Sequence, residues 1–223
     1  MQHYDEALGT LASAAQEMQN WLTAHQYDAD REAQRKNGGM LAGILQNLCF
    51  ASLERQRETD AENTGREAVA VARQYSGADS PVLARALFGV SIVWYRKKDY
   101  ATAREMLEEA LKIFQAHKEL KMTAFCLNNL ARISEELGEK EKGVELHRKA
   151  VALRRDLPDK SDLAFSLGNL GVALATIGDW ERAEAALSEA LAIYRSLGMT
   201  DSREYKGYNY NLEICRKAKN KAE

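Results

Sequence analysis

The sequence predicts an all-α protein, a right-handed α-solenoid built from stacked helix-turn-helix repeats. Its composition favours helices, because Ala, Leu and Glu are abundant and only two prolines occur in 223 residues. Two similar phrases also recur, "KDYATAREMLEEAL" at residues 98–111 and "GDWERAEAALSEAL" at residues 178–191. A phrase that returns at a fixed interval is typical of a repeat protein.

Alanines mark the predicted second helix of each repeat, at intervals of 42, 40 and 40 residues: Ala68, Ala110, Ala150 and Ala190. Seven residues earlier stand four more small residues: Ala61, Ala103, Gly143 and Ala183. Small side chains at a fixed spacing let neighbouring helix backbones approach closely. These positions therefore predict the packed face of the second helices.

Apolar pairs mark the first helix of each repeat: Leu45 and Leu48, Leu87 and Val90, Leu127 and Leu130, Leu167 and Leu170. Each pair is followed by a small residue, namely Cys49, Ser91, Ala131 or Gly171. Residues three apart lie on one helical face, so the pairs fill the groove between neighbouring helices. Ser80 before Pro81 predicts a helix start, and the glycines of "ELGEK" and "TIGDW" predict helix ends.

The predicted division has three parts: residues 1–39, an N-terminal helix and connection; residues 40–200, four repeats of about 40–80, 81–120, 121–160 and 161–200; and residues 201–223, a capping helix with a basic tail. Residues 4–24 predict a half-repeat helix. The following stretch predicts a connection, either irregular or partly helical, that is broken near Gly38 and Gly39. The final helix, with Lys217, Lys219 and Lys221 in its solvated tail, would cover the last core layer with a polar outer face.

This pattern of paired helices and small residues resembles the tetratricopeptide repeat (TPR). The usual TPR unit has about 34 residues. Units of 40 to 42 residues are similar to the longer variant of kinesin light chain and the Pins-type polarity scaffolds. The resemblance covers roughly residues 40 to 215. It implies a concave wall built from first helices and a role in binding other proteins.

Charge and composition exclude several classes of function. The formal net charge of −2 predicts no broad nucleic-acid surface. The N-terminus lacks the features of a signal peptide, and no apolar run is long enough to span a membrane. Cys49, Cys126 and Cys215 are odd in number and far apart, which predicts reduced thiols and a cytoplasmic location.

No constellation of catalytic residues is present, so we predict that the chain is not an enzyme. The four histidines, His3, His25, His117 and His147, are scattered, and neither His-Glu-x-x-His nor Cys-x-x-Cys occurs. We therefore expect no metal site and no cofactor. His147 is expected to be a structural histidine, and Cys126 a core residue.

Asparagine recurs at one position of the first helices, just before the second apolar residue: Asn47, Asn129, Asn169 and Asn211. Gly89 occupies this position in the second repeat. Asparagine is a mediocre helix former, so its recurrence at one position of the repeats needs a physical explanation. A row of amides on the concave wall would hold the backbone of a partner peptide. Alternatively, the asparagines bond neighbouring helices or face water. Gly89 breaks the row, which weakens the binding hypothesis unless this gap admits a bulky partner side chain.

Other residues predicted on the same wall would give specificity. They are Arg85, Phe88, Ile92, Tyr95 and Arg96 in the second repeat, Phe125, Asn128, Arg132 and Glu136 in the third, and Phe165 and Val172 in the fourth. Aromatic and arginine side chains suit an interaction surface. Phe125 and Phe165 could equally fill gaps between helices. The mixed charge argues against a strongly acidic ligand.

The leading functional hypothesis is a non-catalytic adaptor that holds a protein or peptide segment in the concave groove. A second hypothesis is a self-assembling module that associates through the ends of the solenoid or through the N-terminal helix. A third is the sensor part of a larger signalling or transcription regulator.

Overall fold

The computed structural model describes residues 2–26 and 30–219, with side chains from residue 8 onward. The described residues form ten helices and no strand: α1 Gln2–Ala24, α2 Arg31–Glu54, α3 Glu58–Ser76, α4 Pro81–Arg96, α5 Tyr100–Ala116, α6 Leu120–Glu136, α7 Lys140–Arg155, α8 Lys160–Thr176, α9 Trp180–Ser196 and α10 Arg203–Lys219. The all-α fold class predicted from the periodicity is therefore confirmed. Lys221 of the predicted basic tail lies outside the described residues.

The helices belong to two compact units, residues 1–117 with α1 to α5 and residues 118–223 with α6 to α10. Within each unit a first helix packs against the second helix that follows it, as α2 does on α3 and α8 on α9. The second helix then packs against the next first helix, as α3 does on α4 and α9 on α10. This alternation is the helix-turn-helix repeat that the sequence predicts.

The prediction of a break near Gly38 and Gly39 is wrong, because α2 runs without interruption from Arg31 to Glu54. Gly38 is buried beneath α3, and a Cβ atom placed on it would lie 2.2 Å from Cβ of Tyr75. Glycine at this position therefore permits a close helix contact and does not end the helix.

The residues that the sequence predicts to start and end helices do so in the structure. The Ser80 hydroxyl accepts a hydrogen bond from the Leu83 N–H, and Pro81 occupies the first position of α4. Gly138 and Gly178 end α6 and α8 with φ angles of +82° and +78°. A left-handed backbone is favourable for glycine, so these turns form without strain.

The small residues bring the helices of each repeat into close contact. In the first unit, a Cβ placed on Gly65 would lie 2.9 Å from Val90 and 3.2 Å from the Cys49 sulfur. In the second unit, a Cβ on Gly143 would lie 3.2 Å from the Ala131 carbonyl oxygen. The helix backbones meet where side chains are absent, and the leucines pack around these points.

Helix α10 packs on α8 and α9 through Tyr208, Leu212 and Cys215, all of which are buried. Its opposite face is not wholly polar, because Tyr210 is 66% exposed and Ile214 is 41% exposed among the charged residues. Helix α10 thus covers the last layer of the core as expected, but it presents two large apolar side chains to solvent.

We predict opposite effects for two Gly→Ala substitutions in the second unit. A Cβ at Gly171 would lie 2.6 Å from Cγ and 3.1 Å from the backbone nitrogen of Leu187, so Gly171→Ala should destabilise by about 1–3 kcal/mol. Gly207, in α10, has open space around its Cα. Gly207→Ala should stabilise by about 0.5–1 kcal/mol, because alanine is the better helix former. Urea denaturation would measure both, and two changes of the same sign would contradict the packing described.

Candidate functional site

The candidate site of the second unit lies on one face of its first helices. On α6 this face carries Phe125, Asn129 and Arg132, and on α8 it carries Phe165 and Asn169. Spacings of four and three residues place side chains on the same side of a helix. We call these five residues the first-helix wall. Arg132 is exposed and the other four are half-buried.

A cavity of about 260 Å³ opens beside this wall. It is lined by Phe125, Ser161, Asp162, Phe165, Tyr194, Met199 and Glu204. We call it the wall cavity. The two phenylalanines were expected either to fill gaps or to face a ligand; they are half-buried and line this cavity. Burial also raises the pKa of the Tyr194 hydroxyl to about 12, so this group stays neutral at physiological pH.

Acidic and basic groups surround the wall cavity. The Lys121 ammonium lies 3.0 Å from an Asp159 carboxylate oxygen and 2.9 Å from an Asp162 carboxylate oxygen. The Asp162 and Asp159 carboxylates raise the pKa of Lys121. Glu204 is exposed, and no residue in the described ranges forms an ion pair with it. The cavity therefore has one carboxylate that forms no ion pair within the described chain.

Asn169 is used for packing between helices. Its Oδ1 accepts a hydrogen bond of 2.8 Å from the Tyr208 hydroxyl of α10. The same hydroxyl lies 3.2 Å from the Phe165 carbonyl oxygen. The ring of Tyr208 rests on Gly168, where a Cβ would lie 2.2 Å away. The amide Nδ2 of Asn169 is buried and has no hydrogen-bond partner in the described residues.

The other members of the asparagine row differ from Asn169 and from one another. Asn211 donates to the Gly207 carbonyl oxygen of its own helix at 2.9 Å. Asn47 is exposed and Asn129 is half-buried, and neither amide has a hydrogen-bond partner in the described part of the chain. The asparagines of the predicted row thus share one position in the repeat, but their local environments differ.

The gap at Gly89 is filled by the chain itself. Gly89 is buried, and a Cβ placed on it would lie 2.2 Å from Nε2 of Gln46. The Gln46 side chain of α2 therefore covers the glycine of α4. The idea that this gap admits a bulky partner side chain is wrong, because Gln46 occupies the space.

The expectation that Asn128 lies on the exposed wall is also wrong. Asn128 is 2% exposed. Its Nδ2 donates to the Ser166 hydroxyl at 2.8 Å, and its Oδ1 lies 2.9 Å from Nδ1 of His147. Residue 128 is one position before the wall residue Asn129, and this rotation of about 100° turns its side chain toward α7 and α8.

The sequence analysis did not identify Arg154, which is fully buried near the end of α7. Its Nη1 donates to the Asp162 carbonyl oxygen at 2.7 Å and to the Ser166 hydroxyl at 2.8 Å. Its guanidinium lies 4.2 Å from the centre of the Phe125 ring, a cation–π contact. Burial lowers the pKa of Arg154, while the Asp162 and Asp159 carboxylates oppose that change.

The repeat spacing could have indicated that Arg154 is buried. Arg154 stands 40 residues after Phe114 and 40 residues before Tyr194, which are both buried. The position therefore faces inward in each of these second helices. We call Asn128, His147, Arg154 and Ser166 the buried polar network.

His147 completes this network and is the structural histidine that the sequence predicts. It is 1% exposed, and its Nε2 lies 3.3 Å from an Oε1 atom of Glu135. Both ring nitrogens therefore face oxygen acceptors, one from Asn128 and one from Glu135.

The residues predicted on the wall of the first unit lie on α4. Arg85 and Arg96 are exposed, whereas Phe88 and Tyr95 are half-buried. Arg96 forms an ion pair of 3.0 Å with Glu54 of α2. The ring of Tyr95 lies 5.6 Å from that of Tyr100. Arg96 and Tyr95 thus also make contacts within the first unit.

The described residues contain no group of three or more His, Cys, Asp or Glu side chains that could hold a metal ion. Cys49 and Cys126 are buried, and burial raises the pKa values of their thiols to about 11 and about 12. Thiols with such pKa values are poor nucleophiles. Within the described ranges, no helix has the length and hydropathy needed to cross a membrane.

Helix pairs with a partly exposed first-helix wall and a small adjoining cavity define a helical repeat scaffold of the kind used for protein interactions. The profile of the tetratricopeptide repeat matches residues 41–116 and 123–196, together more than half of the chain. The chain therefore belongs to the tetratricopeptide repeat family, whose members are generally non-catalytic scaffolds. No curated protein sequence matches it.

Solved structures agree on the fold. BtubC (BKLC) from P. vanneervenii is 22% identical with a TM-score of 0.81, and the match covers 97% of this chain and 84% of that one. A putative kinesin light chain with nearly identical TPR-like repeats from Podosopora anserina is 16% identical, with a TM-score of 0.70 and coverages of 82% and 89%. The apo form of RapI is 19% identical, with a TM-score of 0.72 and coverages of 81% and 64%.

We predict that Ser166→Ala destabilises the second unit by about 1–3 kcal/mol. The Ser166 hydroxyl accepts from both Asn128 and Arg154, so its loss leaves two buried donors without their common acceptor. Urea denaturation would measure the change. Ser188→Ala on α9 is the control, since no hydrogen bond of that hydroxyl is present in the described structure. Equal stability of the two variants would contradict the role assigned to Ser166.

We also predict an acid-dependent contribution from Asp159, the N-cap residue of α8. Hydrogen bonds from the Ser161 hydroxyl and from Lys121 hold the pKa of this carboxyl well below its usual range. A lowered folded-state pKa stabilises the fold above the unfolded pKa of about 3.9, and this contribution is lost as the pH falls further.

The melting temperature of Asp159→Asn should therefore lie below that of the wild type at neutral pH, and the difference should shrink as the pH falls below about 4. Thermal melts across this pH range would measure it. Asp156→Asn, which removes an exposed carboxylate at the C-cap of α7, is the control for the loss of one negative charge. A difference for Asp159→Asn that is independent of pH would argue against a role for its charge.

Proposed function

We propose that the chain is a non-catalytic scaffold and that the first-helix wall of its second unit binds an extended segment of a partner protein. The wall cavity is the observation that carries this proposal, together with the unpaired amide of Asn129, one helical turn after the lining residue Phe125. The amide offers two donors and one acceptor to the backbone of a peptide. The cavity offers space for one side chain of that peptide.

The lining of the wall cavity defines the side chain that it would receive. Phe125, Phe165 and Met199 supply apolar surface, and Tyr194 adds a ring with a neutral hydroxyl. A cavity of about 260 Å³ suits one large apolar side chain. Because Glu204 is unpaired at the cavity, a basic residue next to that side chain would be favoured over an acidic one. This preference for a basic residue agrees with the mixed charge of the predicted wall, which argues against a strongly acidic ligand.

The network beneath the wall supports this function, because it fixes the shape of the cavity. Arg154 lies against the Phe125 ring and bonds the first turn of α8 through the Asp162 carbonyl oxygen. Both contacted residues line the cavity. A binding site whose walls are held in place before the ligand arrives loses less entropy on binding.

The remaining predicted wall residues are proposed as secondary contacts. In the second unit, Arg132 stands on the same face of α6 as Asn129. The Nδ2 of Asn169 is unpaired but buried, so it would contribute only if a ligand reached it. In the first unit, the exposed Asn47 and Arg85 are proposed as contacts on that unit's own first helices. Asn211 bonds its own helix and is the least suited to this role.

We further propose a cytoplasmic location and no enzymatic activity. The three cysteines are free and buried, which suits a reducing compartment. The kinesin light chain repeats and RapI resemble this chain in fold, which supports a repeat scaffold.

The test uses peptides that the wild-type protein selects from a randomised displayed library. Asn129→Ala and Phe165→Ala should each weaken binding of a selected peptide by about tenfold or more, the size expected for a central contact. Asn209→Ala, an exposed asparagine of α10, should leave the affinity unchanged. Fluorescence anisotropy of the labelled peptide would measure the three affinities.

Selection of peptides whose affinity is insensitive to both Asn129→Ala and Phe165→Ala would remove the first-helix wall of the second unit from the proposal. Selection of no peptide at all would argue against binding of extended segments.

A further inference from the structure

The buried guanidinium of Arg154 is only partly satisfied by the chain. Its Nη1 atom donates to the Asp162 carbonyl oxygen and to the Ser166 hydroxyl. Its Nε and Nη2 atoms are also buried, but they have no hydrogen-bond partner in the described residues. Most buried polar atoms in folded proteins have a partner, and an unpaired donor on a charged group is especially costly. Two such atoms in one side chain therefore point to a further acceptor.

The same guanidinium adjoins the wall cavity. It lies 4.2 Å from the centre of the Phe125 ring and bonds the backbone of Asp162, and both of these residues line the cavity. Tyr194, a third lining residue, occupies the repeat position of Arg154 in the next second helix, 40 residues later. Its hydroxyl interacts electrostatically with the guanidinium. The unpaired donors thus stand behind residues that a ligand in the cavity would contact.

The charges around the cavity favour a neutral acceptor over a carboxylate. Burial lowers the pKa of Arg154, and the carboxylates of Asp162 and Asp159 oppose this change, so they balance part of the guanidinium charge. Asp162 and Glu204 also line the cavity, and Glu204 forms no ion pair within the described ranges. A ligand carboxylate would face both of these acids, and like charges brought together oppose binding. A neutral oxygen is therefore the better partner for the unpaired nitrogen atoms.

The lining of the cavity requires a large aromatic or apolar body for the same ligand group. Phe125, Phe165 and Met199 supply apolar surface, and the volume of about 260 Å³ suits one large side chain. Aromatic rings pack favourably on one another in offset or edge-to-face arrangements. Tyrosine combines such a ring with a neutral oxygen at its tip, whereas phenylalanine has no polar atom and tryptophan has only a donor.

We propose that the wall cavity selects a tyrosine of the bound partner segment, whose hydroxyl oxygen accepts a hydrogen bond from Arg154. This inference rests on the function proposed above, because it specifies the side chain that enters the cavity. The tyrosine ring would contact Phe125 and Phe165, and its hydroxyl proton would face the carboxylates of Asp162 and Glu204. Arg154 is then a residue that determines specificity as well as a member of the buried polar network.

A buried donor that depends on the ligand for its partner gives selectivity between tyrosine and phenylalanine. Phenylalanine would bring the same ring into the cavity but would leave Nε and Nη2 of Arg154 unpaired. A site built to bond a hydroxyl rejects the analogue that lacks it, because its own polar groups lose their partner. For a hydrogen bond to a charged group, we expect tyrosine to bind more tightly by about tenfold or more.

Exchange of one peptide side chain tests this selectivity without any change to the protein. The probes are peptides that the wild type selects from the randomised displayed library and that Phe165→Ala weakens, since these use the first-helix wall. Tyrosine should be enriched at one position of these peptides. Its replacement by phenylalanine should weaken binding by about tenfold or more, and replacement by glutamate at least as much. Fluorescence anisotropy would measure the affinities.

Variants of the protein test the role of Arg154. Arg154→Met keeps a long unbranched side chain but removes the donors, so it should bind the tyrosine and phenylalanine peptides with nearly equal affinity. Arg148→Met, on the exposed side of α7, is the matched control and should keep the wild-type ratio of the two affinities. A loss of stability that lowers both affinities together leaves their ratio unchanged. Should Arg154→Met fail to fold, the peptide exchange on the wild type decides.

The outcomes separate this inference from the function on which it rests. Selected peptides that depend on Phe165 but lack a common tyrosine would overturn the inference and leave the proposed function in place. So would tyrosine peptides that bind equally well with phenylalanine, or a folded Arg154→Met variant that keeps the wild-type ratio. Selected peptides that are insensitive to both Asn129→Ala and Phe165→Ala would overturn the proposed function, and this inference with it.

Discussion

Close approach of helix backbones at small residues is the constraint on which each repeat depends. At Gly143 the nearest backbone atom to an added Cβ would be the Ala131 carbonyl oxygen at 3.2 Å, and at Gly171 it would be the Leu187 nitrogen at 3.1 Å. Contacts of this length leave no room for side chains, so they fix how far one helix can slide along the other. The rotation of the first helices follows from this, and it decides which residues face the wall.

The second unit combines this apolar packing with a buried polar network that reaches the candidate site. Asn128 and Ser166 bond across α6 and α8, and Arg154 bonds Ser166 while it stacks on Phe125. Burial of a guanidinium costs free energy, and apolar replacements are often as stable. The specific gain here is directional: hydrogen bonds set the position of the Phe125 ring, which lines the wall cavity.

The asparagine row shows how far a sequence pattern can predict a site. Periodicity correctly indicated that these positions share one register, but Asn169 bonds Tyr208, Asn211 bonds its own helix and Asn47 faces solvent. The difference arises from the neighbours. Tyr208 rests on Gly168 because glycine leaves space there, while Asn128 fills the same position one repeat earlier with a side chain that bonds Ser166. The sequence pattern of one helix does not specify which side chain of the neighbouring helix will pack against it.

The sequence by itself determined the helical class, the repeat length, the family and the helix ends at Ser80, Gly138 and Gly178, because spacing, capping and left-handed turns are local properties of the chain. Only the tertiary structure decided that α2 continues through Gly38 and that Arg154 lies in the core. It also decided that a cavity opens between Phe125 and Phe165. These features depend on the size and polarity of side chains brought together from different helices, which local spacing does not specify.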